Sequence, residues 1–505
     1  MKEHKSKVGK NLISMLMFQM YGDSKLIYRE YIQNSRDAIN DAVNSGILNK
    51  ITEGRISISI DKAGRNITIE DNGTGVSYKN VEPVLLDIAD STKDGETSAG
   101  QFGIGRLVGG YFCKRLSFKT SYQGEDIASE IVFDIDKIKQ ILDDENDRST
   151  ATEVIDKTTD LNLFEEEKLK HYFIVKLEGI HPDYPELLDE NTISEYLKEV
   201  APIDYSMPFK NQLIATSVHD EYKELQNNVG HFQISVNDYI SLKKRYGLTI
   251  EGTGDDILGL EYFSLEDETF GLLAWGWYAN TPFTKAIPVS DRNSCFRLRK
   301  HNIQVGDANL LTSFFPKNET RGNKYFYGEI HIVNPKIKLN SARDGLAPTP
   351  ESEKLKSLIR DKFDELVKLY HLANDMKNIV KKTDNPSTSS ATEELQITIR
   401  EEIQKKENSK NAQSPAAKQV IEHYKQKVND STEKSNTEII PSAQTSKKTS
   451  SSPALSDPFE VLKETMTDSD IMLTKHIFDL FTSNCPQKHI ELIEELKKKV
   501  IKDLA

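Results

Sequence analysis

Cysteine is scarce in this sequence. Cys113, Cys295 and Cys485 are the only three, and they are too far apart for a disulfide framework or the paired spacing of a zinc site, so a reducing compartment is expected. Apolar runs of membrane length are missing as well. The short run in "NLISMLMFQMYG" is interrupted by Asn11, Ser14 and Gln19, and no small-residue cleavage site follows it. It is therefore not read as a signal peptide, and a cytoplasmic location is expected. There is no basic excess. Lys and Arg total 66 against 79 Asp and Glu, a net charge of -13, which argues against a duplex-binding surface spread over the whole molecule while leaving room for a local basic patch. Tryptophan is limited to Trp275 and Trp277, which share one face of the strand-like "LLAWGWYA" and are expected in a core.

What is present is enough for more than one core. A chain of 505 residues predicts two or three domains, and 37% hydrophobic with 29% charged residues fits a soluble protein. Residues 11–48 read as helical with a break at "YGDSK", where Asp23 or Ser24 can cap the second helix. Two alternating strands follow, "RISISID" and "RNITIED". Residues 82–110 turn glycine-rich and polar, as a long loop does, and strands and helices then alternate to about 205, including "HYFIVKLEGI". A second region, 206–380, carries the strands "FGLLAWGWYA", "FRLRKHNIQVGD" and "YGEIHIVN" and closes on a helix from about 351. Beyond it, 381–457 reads as a very polar helix (394–430) and a low-complexity linker. Residues 458–505 read as a helical tail, with Pro486 at a first helical position and a stripe of Ile490, Ile493, Leu496, Val500 and Leu504.

The chemistry-bearing residues cluster early. In "REYIQNSRDA", Glu30, Asn34, Asp37 and, further on, Asp41 fall in one narrow arc at about 100° per residue, opposite Tyr28, Tyr31, Ile32, Ile39 and Ala42. On this helix alone, a solvated face is the simpler reading. "IEDNGTGV" then places Asp71 at the end of a strand before Gly73 and Gly75, and "GQFGIGR" supplies Gly100, Gly103 and Gly105. The glycines match neither the dinucleotide fingerprint nor a Walker loop, since no strand–turn–helix unit surrounds them and no Lys-Ser or Lys-Thr follows.

Taken in order, helical E-x-x-x-N-x-x-D-A, strand-D-x-G-x-G and a loop ending G-x-x-G-x-G resemble the GHKL ATPase superfamily, which includes gyrase, heat-shock chaperones, histidine kinases and MutL. The resemblance is closest to the ninety-kilodalton heat-shock (HtpG-like) chaperones. "LMFQMYGDSKLIYREYIQNSRDAIND" resembles their opening helices, and "LLDIADSTKDG" followed by "AGQFGIGR" resembles their nucleotide lid, here about 86–106. The fold class implied is α+β. It comprises a Bergerat-type two-layer α/β sandwich over 1–205, an α/β middle or transducer domain over 206–380, a disordered linker and the helical tail. The ligands implied are ATP and Mg²⁺. Asn34 would hold the metal and Glu30 would act as the base for the attacking water. Asp71, Gly73 and Gly75 would meet the adenine, with Asp37 and Ala38 at the pocket floor. Backbone N–H groups of Gly100, Gln101, Phe102, Gly103, Ile104 and Gly105 would meet the phosphates, with Lys93 as a lid cation. Thr152 in "TATEV" resembles an adenine-side threonine, although Ala151 stands where the family has glycine.

From the second region, "KIKLNSARDGL" resembles the chaperones' L-N-x-S-R-E motif and makes Arg343 the catalytic cation on the γ-phosphate. Here the serine is shifted and Asp344 replaces glutamate. The rival cations are Arg297, Arg299 and Lys300, which otherwise read as the wet face of a strand. A carboxylate at position 30 favours hydrolysis over histidine-kinase chemistry, and no phospho-accepting His in a dimerising helix stands upstream. The implied function is an ATP-driven molecular clamp that dimerises and acts on a protein client. Alternatives are a MORC-like ATPase of a DNA-directed or anti-phage defence system, whose zinc-ligand cluster is not found here, and an ATP-sensing module with little turnover.

Overall fold

The alternation of Ile56, Ile58 and Ile60 against Ile67 and Ile69 builds the first hairpin. In the computed structural model, β1 (Arg55–Asp61) and β2 (Asn66–Asp71) pair antiparallel with Ile58 opposite Ile69 and Ile60 opposite Ile67. The isoleucines are buried while Arg55, Ser57 and Ser59 face outward, the period-2 pattern of a sheet covered on one face. The structure describes residues 8–18, 23–87, 105–216, 232–237, 241–340, 343–381 and 391–437. Among the described residues no helix is long and apolar enough to cross a membrane.

The hairpin lies in a seven-stranded sheet of order β5-β4-β3-β6-β2-β1-β7. The added strands are β3 (Arg115–Ser121), β4 (Ile127–Asp134), β5 (Thr159–Glu165), β6 (Tyr172–Glu178) and β7 (Gln233–Val236). Its buried face shares one core with α1 (Asn11–Phe18), α2 (Leu26–Asn44), α3 (Val81–Leu86), α4 (Ile135–Asp143), α5 (Ala151–Thr158) and α6 (Glu190–Val200). This is the two-layer α/β sandwich expected. Strand β7 pairs parallel to β1, so the first sheet is completed beyond residue 205, where the sequence suggested a boundary. The four residues of β7 are too few to carry a periodic signal of their own.

After α7 (Met207–Thr216) and the small ladder of β8 (Thr249–Ile250) and β9 (Asp255–Asp256) comes a five-stranded sheet of order β10-β11-β14-β12-β13. It consists of β10 (Gly259–Asp267), β11 (Gly271–Asn280), β12 (Cys295–Lys300), β13 (Ile303–Val305) and β14 (Tyr327–Ile332). The long α8 (Pro350–Val380), opened by a Thr349–Ser352 capping box, lays Leu355, Ile359, Phe363 and Leu366 on this sheet. Residues 394–430, expected as one polar helix, fall instead on two helices, α9 (Ala391–Glu407) and α10 (Pro415–Thr437). Ile399, Ile403, Ala417, Val420, Ile421 and Tyr424 of this pair are buried in the same core as Phe363. Their narrow apolar stripe is diluted by charged neighbours, which made the segment read as solvated. The low-complexity stretch from 438 and the stripe of Ile490 to Leu504 lie outside the described residues.

A buried charge cluster ties the segment around the end of α6 to the five-stranded sheet. Glu329 on β14 accepts from Arg299 Nε (2.5 Å), Lys244 Nζ (2.9 Å), Tyr246 (3.1 Å) and His331 Nε2 (2.9 Å), and from the Tyr205 hydroxyl. Arg299 also donates to the carbonyl of Glu199 at the end of α6 (2.8 Å), and Asn302 to that of Ile203 (3.2 Å). The segment that follows α6 is therefore tied to the second sheet. The two tryptophans border the cluster. Trp277 Nε1 donates to Tyr205 Oη (3.1 Å), and Trp275 stacks on His331 at 4.2 Å.

Candidate active site

Of the polar arc on α2, Glu30 and Asp37 are buried and Asn34 is half-buried, so only its Asp41 end is solvated. The stripe Tyr31, Asn34, Ser35, Ala38 and Asp41 lines a cavity of about 630 Å³ between the helix and the sheet. The sequence reading set Tyr31 opposite the polar arc. It is only about 60° around the helix from Asn34, and it faces the cavity. Phe118, Phe173, Val175, Val76 and Leu85 make an apolar wall, while Asn34, Asp41, Asp71, Asn80 and Arg343 are polar. This volume and this mix suit a ligand with a flat apolar end and a charged end.

Asp71 ends β2 at that wall. It is buried, and its Oδ1 accepts the Gly73 N–H (2.9 Å). The backbone then passes α2 closely, with Thr74 N–H donating to Ala38 O (3.1 Å), and a β-carbon at Gly73 would lie 2.6 Å from that of Ala38. Gly75 has φ +66° and its missing β-carbon would sit 1.9 Å from Ser121 O, so no other residue fits. At Gly105 a β-carbon would come within 2.8 Å of Glu30 Oε2, so the end of the glycine-rich segment is placed against the predicted base.

Glu30 is 1% exposed and lies between two cations. Arg29 Nη2 approaches Oε1 at 3.4 Å, and Arg343 Nη1 donates to Oε2 at 2.5 Å across 313 residues of chain. Arg343 sits at the tip of the turn bridged by Leu339 and Leu346. Its φ of +55° is held by Arg343 N–H to Asn340 O (3.0 Å) and Gly306 N–H to Arg343 O (3.3 Å). A left-handed arginine persists only where its surroundings fix it, and such strain is concentrated at functional sites.

Thus Asn34, Ala38, Asp71, Gly75, Gly105 and Arg343 line one cavity, with Glu30 and Gly73 against it. Asp37 is buried beside the cavity and bonded to Arg36 Nη1 (2.9 Å), whose guanidinium burial pushes below its usual range. Lys93, Gly100, Gln101, Phe102, Gly103 and Ile104 lie outside the described residues. Thr152 is exposed on the first turn of α5, away from the cavity. "TATEV" contains the Thr150–Glu153 capping box that starts this helix, so the segment's residues serve helix initiation rather than the adenine side of the cavity. Arg297, Arg299 and Lys300 are not at the cavity either. Both faces of β12 are covered, and these side chains bind Glu199 (3.3 Å), Glu329 (2.5 Å) and the Ile337 carbonyl (Nζ to O, 2.5 Å).

Among the site residues that carry no signal in the sequence, Tyr31, Arg106 and Gln33 bear most on its geometry. Tyr31 Oη bridges Arg106 O (2.9 Å) and Gly109 N–H (3.1 Å), fixing the segment just after Gly105. Arg106 lines the cavity and donates to the carbonyls of Val84 and Asp87. Burial lowers its guanidinium to about 10, with Asp87 opposing. Gln33 Oε1 accepts from Arg343 Nη1. Among the described residues no group of three His, Cys, Asp or Glu is placed to hold a metal ion. A hard cation here would lean on a ligand's phosphates and the Asn34 amide oxygen, as Mg²⁺ does.

The family described as "Histidine kinase-, DNA gyrase B-, and HSP90-like ATPase" matches residues 25–165. Residues 25–165 are a GHKL-type ATPase domain. The Chaperone protein HtpG of Fusobacterium nucleatum subsp. nucleatum is 30% identical over 128 residues, 22% of this chain and 21% of that protein. HtpG of Geobacter metallireducens is 26% identical over 205 residues, 35% and 30% of the two chains, and HtpG of Geobacter sulfurreducens is 25% identical over 203 residues. The chain spans less than a third of the length of these curated relatives, so the similarity is to a segment.

Proposed function

We propose that the chain is an ATP-hydrolysing molecular clamp of the heat-shock-chaperone type, in which the second domain completes the catalytic site. The observation that carries this reading is Arg343, delivered from beyond the five-stranded sheet onto Glu30 of the ATPase domain. A cation there has no role in packing an apolar core. It suits the charge that develops on a transferring phosphoryl group. Asp71 and the apolar wall would take the adenine, Asn34 the metal, and Glu30 the proton of the attacking water. Bound Mg²⁺ would supply charge neutralisation between the phosphates. Because Arg343 belongs to the second domain, turnover would be coupled to the relation between the domains. We further propose that two copies associate, that the client is a protein, and that 458–505 serves dimerisation or partner docking.

One observation favours a second reading. Arg343 occupies Glu30 directly, so the carboxylate is engaged by a buried guanidinium rather than turned toward a water in the cavity. This is what an ATP-sensing module with little turnover requires. Steady-state phosphate release by the wild type and by Glu30→Ala, with and without DNA, tests both. The clamp reading expects Mg²⁺-dependent turnover that Glu30→Ala abolishes while nucleotide still binds. Absence of turnover in the wild type leaves the sensing module, and strong stimulation by DNA overturns the protein-client reading.

A further inference from the structure

Arg343 is held by two acceptors on α2, one turn apart. Its Nη1 donates to Glu30 Oε2 (2.5 Å) and to Gln33 Oε1. The arginine is buried, as are both partners. The two acceptors differ in kind. Glu30 is the carboxylate that must be free to take a proton, whereas Gln33 is neutral and has no part in proton transfer. A guanidinium confined to Glu30 alone would have to give up its buried hydrogen bond whenever the base is released, which is costly for a charged donor out of water.

We infer that Gln33 is a positioning residue that retains Arg343 at the cavity when the guanidinium leaves Glu30 for the terminal phosphate. This rests on the hydrolytic reading of the site and names how its regulation works. With Gln33 in place, one Nη1 bond persists while the other is exchanged, so the arginine rotates within the site rather than withdrawing with its turn. The amide oxygen is suited to this task because it adds no second negative charge. A carboxylate at 33 would hold Arg343 too tightly and repel the phosphates. The left-handed backbone at Arg343 limits how far its own loop can compensate.

The test is a double-mutant cycle on the full chain, with Gln33→Met (volume-conserving), Arg343→Ala and both together. Far-ultraviolet circular dichroism and a cooperative thermal transition confirm that each variant is folded, and Gln33→Asn serves if the Met variant is not. Gln33→Met is expected to lower kcat about tenfold while KM stays within about twofold, the size of a lost hydrogen bond to a charged group. In the Arg343→Ala background the same change is expected to alter kcat by less than about twofold. If wild-type turnover is too slow for kcat, the cycle is read on the ratio of ATP to ADP affinity, with the same pattern expected. An equal loss in both backgrounds, or no loss at all, overturns the role of Gln33. Wild-type behaviour of Arg343→Ala instead overturns the assignment of Arg343 on which it rests.

Discussion

Replacing Glu329 by Gln removes the carboxylate that Arg299 and Lys244 share in the buried joint, and the size of the effect can be worked from its contacts. The wild-type carboxylate faces Arg299 at 2.5 Å and Lys244 at 2.9 Å, with both cations about 1% exposed. Taking one partner from a buried pair costs about 3–5 kcal/mol, because the remaining charge is left uncompensated. Two features put Glu329→Gln at the lower end. The amide oxygen keeps one acceptor, and Lys244, already pushed down to about 7 by burial, can shed its proton where Arg299 cannot. We therefore expect a loss of about 3 kcal/mol, or a midpoint lower by about 6–12 °C for a domain of this size. The assay is thermal unfolding at pH 7.5 followed by tryptophan fluorescence. Both tryptophans border the cluster, so the signal reports this joint and little else. Adding Arg299→Met removes the stranded charge and is expected to restore at least half of the loss. A shift under about 2 °C, or a double variant no better than the single one, refutes the account.

The pH dependence of the same transition has a defined sign. Burial lowers Lys244 to about 7 in the folded chain from 10.5, so between those values the unfolded chain binds more protons and stability rises with pH, by up to about 1.4 kcal/mol per unit. Lys244→Met is expected to flatten that slope in urea titrations at pH 7.5 and 9, and an unchanged slope excludes Lys244 as its source. Asp71→Asn keeps an acceptor for Gly73 N–H but loses its charge. Calorimetry is expected to show ATP affinity falling about tenfold or more, with stability within about 1 kcal/mol of wild type, whereas an unaltered affinity would remove Asp71 from the adenine end. Gly105→Ala would press a methyl to 2.8 Å from Glu30 Oε2. It is expected to lower kcat about tenfold or more with nucleotide affinity within about threefold, and equal losses in both would mean that the pocket itself has collapsed.

The candidate site was legible where its residues are close in sequence and their spacing follows a helix or a tight turn. Glu30, Asn34 and Ala38 are separated by whole turns of α2, and Asp71, Gly73 and Gly75 by the demands of one backbone crossing. Legibility failed where tertiary packing reverses a local signal. Arg297 and Arg299 alternate with apolar residues as a wet strand face does, yet β12 is covered on both sides and the arginines are buried against carboxylates. Thr152 follows a threonine that caps a helix, and local capping chemistry won over the motif's outline. The apolar stripe of α9 and α10 is thin because only one side of each helix meets a core built mainly by other elements. Gln33 carried no signal, since nothing in its neighbourhood points to a partner 310 residues away.

That long separation is itself informative about coupling. A cation placed by the seven-stranded sheet itself would meet Glu30 in any arrangement of the two sheets. Arg343 instead follows β14 by a short connection, and β14 carries Glu329, which through Arg299 and Lys244 is bonded to the segment that follows α6. Any rotation that disturbs the buried joint must therefore also move the turn that presents Arg343, and the positive φ at its tip leaves little slack to absorb the motion. The same contacts that make the joint stable make the arginine's position sensitive to it. On this basis Glu329→Gln should lower turnover by more than its effect on the folded fraction at 25 °C explains, measured as kcat per folded molecule. Turnover that merely tracks the folded fraction would mean that the joint and the cation are independent.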